Sequence, residues 1–332
     1  MAIVRLSDRP VGLASGMKTK WALLALVIAT PCAAVQKLDA HFIANRVLVD
    51  APLRAGGLIR FWSDTGGGAT IIYDKTAARL KLATEPLAGE LVEEMPPGSR
   101  QLTAPLPLAP SAFPTPPGPV LVTGDLVISM GLPADCDGNL GHGWFAGHIW
   151  TWDYPKGTLT LEDAGWQPNE KQKVMPIGFR PAGKEGPALH FPRIVITIDG
   201  EEVPMLLDTG ASTVLTPEAA QAIDGGSRLR ATSMIVADRI AAWRKAHPQW
   251  RVIEHAQGGT GARMIEVPDV RIAGFEVGPI WFTERPNKNF REMMSQSMNA
   301  PVEGAIGGNA FATLRMTVDY LHGRASFSQE KP

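Results

Sequence analysis

Cysteine is nearly missing from these 332 residues: there is only Cys32 and Cys136. Cys32 falls inside an export-type leader, which leaves Cys136 alone and excludes an internal disulfide in the mature chain. No His stands at a telling spacing from Cys136, so its expected role is a small core residue and not a nucleophile. An excess of one charge is missing too. With residues 1–34 removed, 28 basic residues face 32 acidic ones. Nucleic acid and anionic membrane surfaces are therefore not expected partners. The apolar run at 21–29 is too short to span a bilayer. No stable membrane span is expected once the leader is gone.

What is present begins with that leader. "MKTKWALLALVIATPCAA" opens at Met17 with two lysines, runs through apolar residues and closes on small ones. It reads as a signal peptide over residues 1–34 cleaved after Ala34, with export to a periplasm or out of the cell. Met17 is an alternative start, since 1–16 do not resemble a signal n-region. Retention as an uncleaved anchor, or lipidation at Cys32 behind a poor "ATP" box, are the competing readings.

The informative stretch is "PMLLDTGASTVL", 204–215, where Asp208 follows an apolar run. A buried acid there is costly unless something uses it. A second Asp-Thr-Gly lies at Asp64, in "IRFWSDTGGGATIIYDKTAARL". Each is followed by a short β-rich run and a helix-prone stretch: Asp74 is cap-like in the first, while in the second Thr216 is an N-cap and Pro217 takes the first helical position. Further on, "NLGHGWFAGHIWTWDY" (139–154) aligns without a gap to "AIGGNAFATLRMTVDY" (305–320). Asp64 to Gly141 is 77 residues and Asp208 to Gly307 is 99, and the excess is expected at 227–250, read as an inserted amphipathic helix. The chain thus reads as an internal duplication. Its parts are an N-terminal lobe over 35–161, a linker over 162–188 rich in Gly, Pro and charge, and a C-terminal lobe over 189–332.

Both halves resemble the aspartic protease family, retropepsin-like in each lobe and pepsin-like in carrying two lobes on one chain. The second half is the closer match, through "ITIDGEEVPMLLDTGASTVLT", "VPDVRIAGFEVGPIWF" and "AIGGNAFATLRMTVDY". The resemblance implies a mostly β fold of two similar barrel-type lobes with an active-site cleft between them. It implies an aspartic endopeptidase, a hydrolase with Asp64 and Asp208 as catalytic pair, and no metal or organic cofactor. Thr65, Gly66, Thr209, Gly210 and Ser212 would support the active-site loops, the two threonine hydroxyls cross-linking them. A peptide or protein substrate would lie extended across the cleft, and the chain would be a monomer with intramolecular lobe pairing.

The chemistry explains the residue types. Two carboxyls a few ångströms apart cannot both ionise easily, so one acts as base toward a bound water while the other acts as acid. Sequence leaves open which one starts with the proton. Two departures stand out. Pepsin-like enzymes place Ser or Thr three residues after each Asp, where this chain has Gly67 and Ala211. Losing those donors predicts raised dyad pKa values and an optimum less acidic than pepsin's. Ser63 is polar where the family prefers a bulky apolar residue.

A hairpin at 251–267 with tip Gly258, Gly259, Thr260 and Gly261 is a candidate flap, or else an ordinary surface hairpin. Its counterpart at 95–119 holds nine prolines and is not expected to form a regular hairpin. "GGTG" at 258–261 lacks the Lys of a phosphate loop. His142 and His148 align with Gly308 and Leu314, which argues against a metal site, and Trp144, Trp150 and Trp152 read as core. The alternative functions are a non-catalytic peptide-binding or scaffold protein on the same fold, and a dimer pairing lobes between chains.

Overall fold

The computed structural model describes residues 35–87, 97–124, 135–183 and 188–329; the leader lies outside them. Among the described residues no helix is long and apolar enough to cross a membrane.

The chain is mostly β, and each half builds a sheet of the same order. In the first half Leu58–Ser63, which ends at Asp64, pairs in parallel with Gly138–Leu140. That strand pairs antiparallel with Ile71–Tyr73, which runs parallel to Leu121–Thr123. In the second half Glu201–Leu207, which ends at Asp208, pairs in parallel with Gly304–Ile306. That strand pairs antiparallel with Ser233–Val236, which runs parallel to Ile280–Arg285. A hairpin completes the order in each: Thr84–Pro86 with Arg100–Leu102, and Val252–Ile253 with Met264–Val267.

A third, six-stranded sheet joins the halves. At its centre Ile149–Asp153 pairs antiparallel with Leu314–Asp319, in the register Thr151 opposite Thr317. These two residues also align in sequence, so the pseudo-twofold axis passes between them. Their hydroxyls hydrogen-bond at 2.8 Å in a fully buried setting. The indoles of Trp144, Trp150 and Trp152 are all buried as expected, with Trp144, in the short helix His142–Phe145, stacked on Trp150 at 4.4 Å between ring centroids. The outer strands are Gln36–Lys37 on one side and Lys173–Pro176 on the other. The latter falls within 162–188, so the segment read as a linker contributes an edge strand to the shared sheet.

The insertion lies elsewhere than the sequence implied. By pairing, Ile71–Tyr73 and helix Asp74–Arg79 correspond to Ser233–Val236 and helix Ala237–Ala246. The extra piece of the second half is 212–231: strand Ser212–Val214, helix Pro217–Ile223 and strand Leu229–Ala231, whose two strands, among the described residues, pair only with each other. Thr216 caps that helix, its Oγ1 accepting from Ala219 N–H at 3.2 Å, with Pro217 in the first turn. Asp74 is not a cap but the first residue of its helix, where its charge suits the positive end.

The proline-rich segment also departs from expectation in one part. Its first part, Arg100–Leu102, pairs as a strand with Thr84–Pro86, and 88–96 lies outside the described residues. Its later part wraps the first lobe: Pro114 O accepts from Trp144 Nε1 at 2.9 Å, and Phe113 stacks on Phe61 with ring centroids 5.6 Å apart. Cys136 is buried beside Trp62 and Tyr73, and burial pushes its thiol up to about 11, which fits a core residue.

Candidate active site

Each Asp-Thr-Gly sits where a strand leaves the sheet, and the parallel neighbour strand holds it. Asp64 N–H donates to Leu140 O at 3.1 Å, and Asp208 N–H donates to Ile306 O at 2.9 Å. Beyond those strands Gly141 and Gly307 pass against the loops. A Cβ at Gly141 would stand 2.6 Å from Ala69 O, and one at Gly307 would stand 3.1 Å from Ala211 Cβ. Glycine is required at both by close backbone approach.

The loops meet across the pseudo-twofold axis. Thr65 Oγ1 donates to Leu207 O at 2.8 Å and accepts from Thr209 N–H at 3.0 Å. In return Thr209 Oγ1 donates to Ser63 O at 3.0 Å and accepts from Thr65 N–H at 3.2 Å. All of this is buried, so the bonds are made in a low-dielectric setting where leaving any of them unmade is costly.

This exchange sets each carboxyl over the opposite loop. A Cβ on Gly66 would lie 2.5 Å from Asp208 Cγ, and one on Gly210 would lie 2.8 Å from Asp64 Cβ. Both acids remain half-buried, so each keeps surface that a water or a bound chain can reach. Burial comes first among the causes that hold both carboxyls above their ordinary range, and Asp64, held well above it, also feels the Asp208 charge. Backbone N–H groups pull the other way: Gly66 and Gly67 at Asp64; Gly210, Ala211 and Gly66 at Asp208. The Gly210 contact is 2.9 Å to Asp208 Oδ1. Asp208 thus accepts from more backbone N–H groups than Asp64 does.

The remaining expected residues divide. Thr65, Gly66, Thr209 and Gly210 are all in this constellation. Ser212 is not: it opens the inserted strand, and its buried hydroxyl has no hydrogen-bond partner among the described residues. In the candidate flap, Gly259, Thr260 and Gly261 are exposed at the tip, with Gly259 and Gly261 at φ of 78° and 68°. The base of that tip is tied to the insertion, since Gly258 N–H donates to Val214 O at 2.8 Å and Thr216 N–H donates to Ala256 O at 2.9 Å. Arg285 Nη1 also donates to Gln257 Oε1 at 2.7 Å.

Two residues join the site that sequence reasoning had set aside. Ser63, read only as a blemish in the match, bonds to the Thr209 hydroxyl at 3.1 Å. Its signal was a polar residue ending a buried strand. His142 binds the first active-site loop through its N–H, donating to Gly67 O at 2.8 Å, while its Nδ1 accepts from His190 N–H at 3.1 Å. Burial lowers this imidazole to about 4, with the nearby His190 adding to the effect. His148 Nδ1 lies 2.8 Å from Ala146 O and is not part of the site. The one group of possible metal-ligating side chains among the described residues, Asp39, His41 and Asp50, lies apart from the dyad, and Arg60 already occupies both Asp50 oxygens at 2.7 Å.

No family model and no curated protein matches the chain. Among solved structures it is similar to basic 7S globulin from soybean, with 10% identity over 90% of this chain and 95% of that one, at a TM-score of 0.47. It is also similar to the aspartic proteinase from Irpex lacteus, with 11% identity, 90% and 98% coverage and a TM-score of 0.46. Conglutin gamma, a basic 7S globulin from lupine seeds, follows with 10% identity, 90% and 95% coverage and a TM-score of 0.46. These scores are low enough that the two-lobed, mostly β architecture stands on its strand order and its internal symmetry.

Proposed function

We propose that the chain is an exported aspartic endopeptidase, with Asp64 and Asp208 as a single dyad formed within one chain. The observation that carries this reading is the crossed arrangement, in which each carboxyl lies over the other loop's glycine and two buried threonines lock the loops together. A chain folded only to bind peptides gains nothing from holding two acids against their mutual repulsion.

In this mechanism Asp208 enters charged and Asp64 protonated. A water between them gives its proton to Asp208 as it attacks the scissile carbonyl carbon. Asp64 donates to the carbonyl oxygen, where negative charge develops, and stabilises the tetrahedral intermediate. Collapse of that intermediate breaks the C–N bond and delivers a proton to the leaving nitrogen from the dyad. The substrate lies extended in the cleft between an N-terminal lobe, 35–161, and a C-terminal lobe, 189–332. Export follows from the leader at 1–34, and the tip at 258–261 contacts the bound chain.

Cleavage of a mixed peptide library by the mature chain, 35–332, tests the reading, run across about pH 3 to 8, where such a dyad titrates. Cleavage by the wild type that disappears in both Asp64→Asn and Asp208→Asn supports it. A folded wild-type protein that cleaves nothing while still retaining peptides supports the peptide-binding alternative.

A further inference from the structure

The lock between the two active-site loops is not symmetric, and Ser63 is the reason. In the second half the residue before the aspartate is Leu207, an apolar core residue. In the first half it is Ser63, fully buried, with Oγ 3.1 Å from Thr209 Oγ1. A hydroxyl carries one proton and two lone pairs. Thr209 donates its proton to Ser63 O and accepts from Thr65 N–H. The remaining bond at Thr209 Oγ1 must therefore be an acceptance, and Ser63 Oγ–H is its donor. Thr209 Oγ1 is thereby saturated, whereas Thr65 Oγ1 makes one donation and one acceptance.

We propose that Ser63 is a positioning residue of the dyad: its hydroxyl fixes the Thr209 rotor and so sets the spacing between the Asp64 and Asp208 carboxyls. The inference rests on the endopeptidase reading. Each threonine is the covalent neighbour of one aspartate, so freedom in the Thr209 rotor becomes freedom in the dyad spacing. Catalysis that depends on a preorganised pair is sensitive to this. Asp64 is raised in part by the nearby Asp208 charge, so a looser pair ionises this second member at lower pH.

The test compares wild type with Ser63→Ala and Ser63→Thr in the mature chain, reading kcat and KM separately across pH. Ser63→Ala is expected to lower kcat by about tenfold, as loss of orientation does, with KM little changed. The alkaline limb of the kcat profile should move to lower pH, and Ser63→Thr, which keeps the hydroxyl, should restore both. If Ser63→Ala fails to fold, Ser63→Cys fills the same space with a poorer donor and carries the same comparison. Lowered thermal stability with kcat and the alkaline limb unmoved overturns the proposal, as does a Ser63→Thr variant that behaves like Ser63→Ala. If the wild type cleaves nothing, the endopeptidase reading fails by itself. The positioning role is then read by carboxyl NMR titration of Asp64 and Asp208. An upper titration step unmoved by Ser63→Ala overturns it there too, and a step moved to lower pH upholds it.

Discussion

Gly66 lies so close beneath Asp208 that a Cβ on it would stand 2.5 Å from Asp208 Cγ and 2.6 Å from Oδ2. Those are distances that side chains do not tolerate, and the obstruction is a carboxyl of the proposed dyad. Gly66→Ala should therefore lower kcat by at least about 100-fold, in line with the cost of misplacing reacting groups by an ångström. Gly68, two residues on, has open space where its Cβ would be. Gly68→Ala should keep wild-type activity, and steady-state kinetics on the pair distinguishes a local clash from general fragility.

The dyad is also a stability liability. Both folded-state carboxyls lie above their unfolded value of 3.8. A carboxyl raised by the fold favours the fold while protonated and costs stability as pH climbs from the unfolded value through the folded one. Thermal melting of the wild type should therefore weaken through that window as pH rises. Asp64→Asn, which cannot ionise, should melt at a higher temperature than wild type at pH 7. Equal melting curves for the two proteins would remove the argument that repulsion and burial raise the pair.

Ala211 occupies the position from which a hydroxyl could donate to Asp208. At present only its backbone N–H favours the anion there. Ala211→Ser adds a donor to the charged form, which lowers the carboxyl's pKa. The acid limb of kcat/KM should shift to lower pH, and a shift to higher pH would count against the assignment of Asp208 as the charged member.

His142 links the first active-site loop to the strand Leu189–Ile198 of the other half, and it does so only while its Nδ1 is free to accept from His190 N–H. The fold lowers this imidazole from 6.5 to about 4. The unfolded chain therefore takes up the proton first, and stability present above pH 6.5 is lost as pH falls toward 4. His142→Gln offers an acceptor that does not titrate. Between those two pH values it should melt with a weaker pH dependence than wild type.

The two Asp-Thr-Gly loops, the equivalence of 139–154 with 305–320 and the strands leading into each aspartate were legible in the sequence because side-chain chemistry and the repeat mark them; that Thr151 pairs with Thr317 was not. The position of the insertion was not. "STVLTPEAAQAI" and "SMIVADRIAAWRKA" each read as a β-run followed by a helix, and both are that. Only long-range pairing of Ile235 with Gly304, matching Ile72 with Gly138, shows which is the counterpart of the first half. The edge strand Lys173–Pro176 escaped for a related reason. Its residues are mostly exposed, so no apolar pattern announces it, and it exists through its partner Arg324–Gln329. Ser63 was visible but was weighed against a family preference instead of against the hydroxyl it meets.

The central claim is that Asp64 and Asp208 act as one unit, and the most direct test is whether their removal is additive. Measured kcat for Asp64→Asn, for Asp208→Asn and for the double variant should all fall to the same floor, as groups that work only together do. A double variant that loses about the product of the two single losses, or a single variant that keeps most of its activity, would contradict a shared dyad.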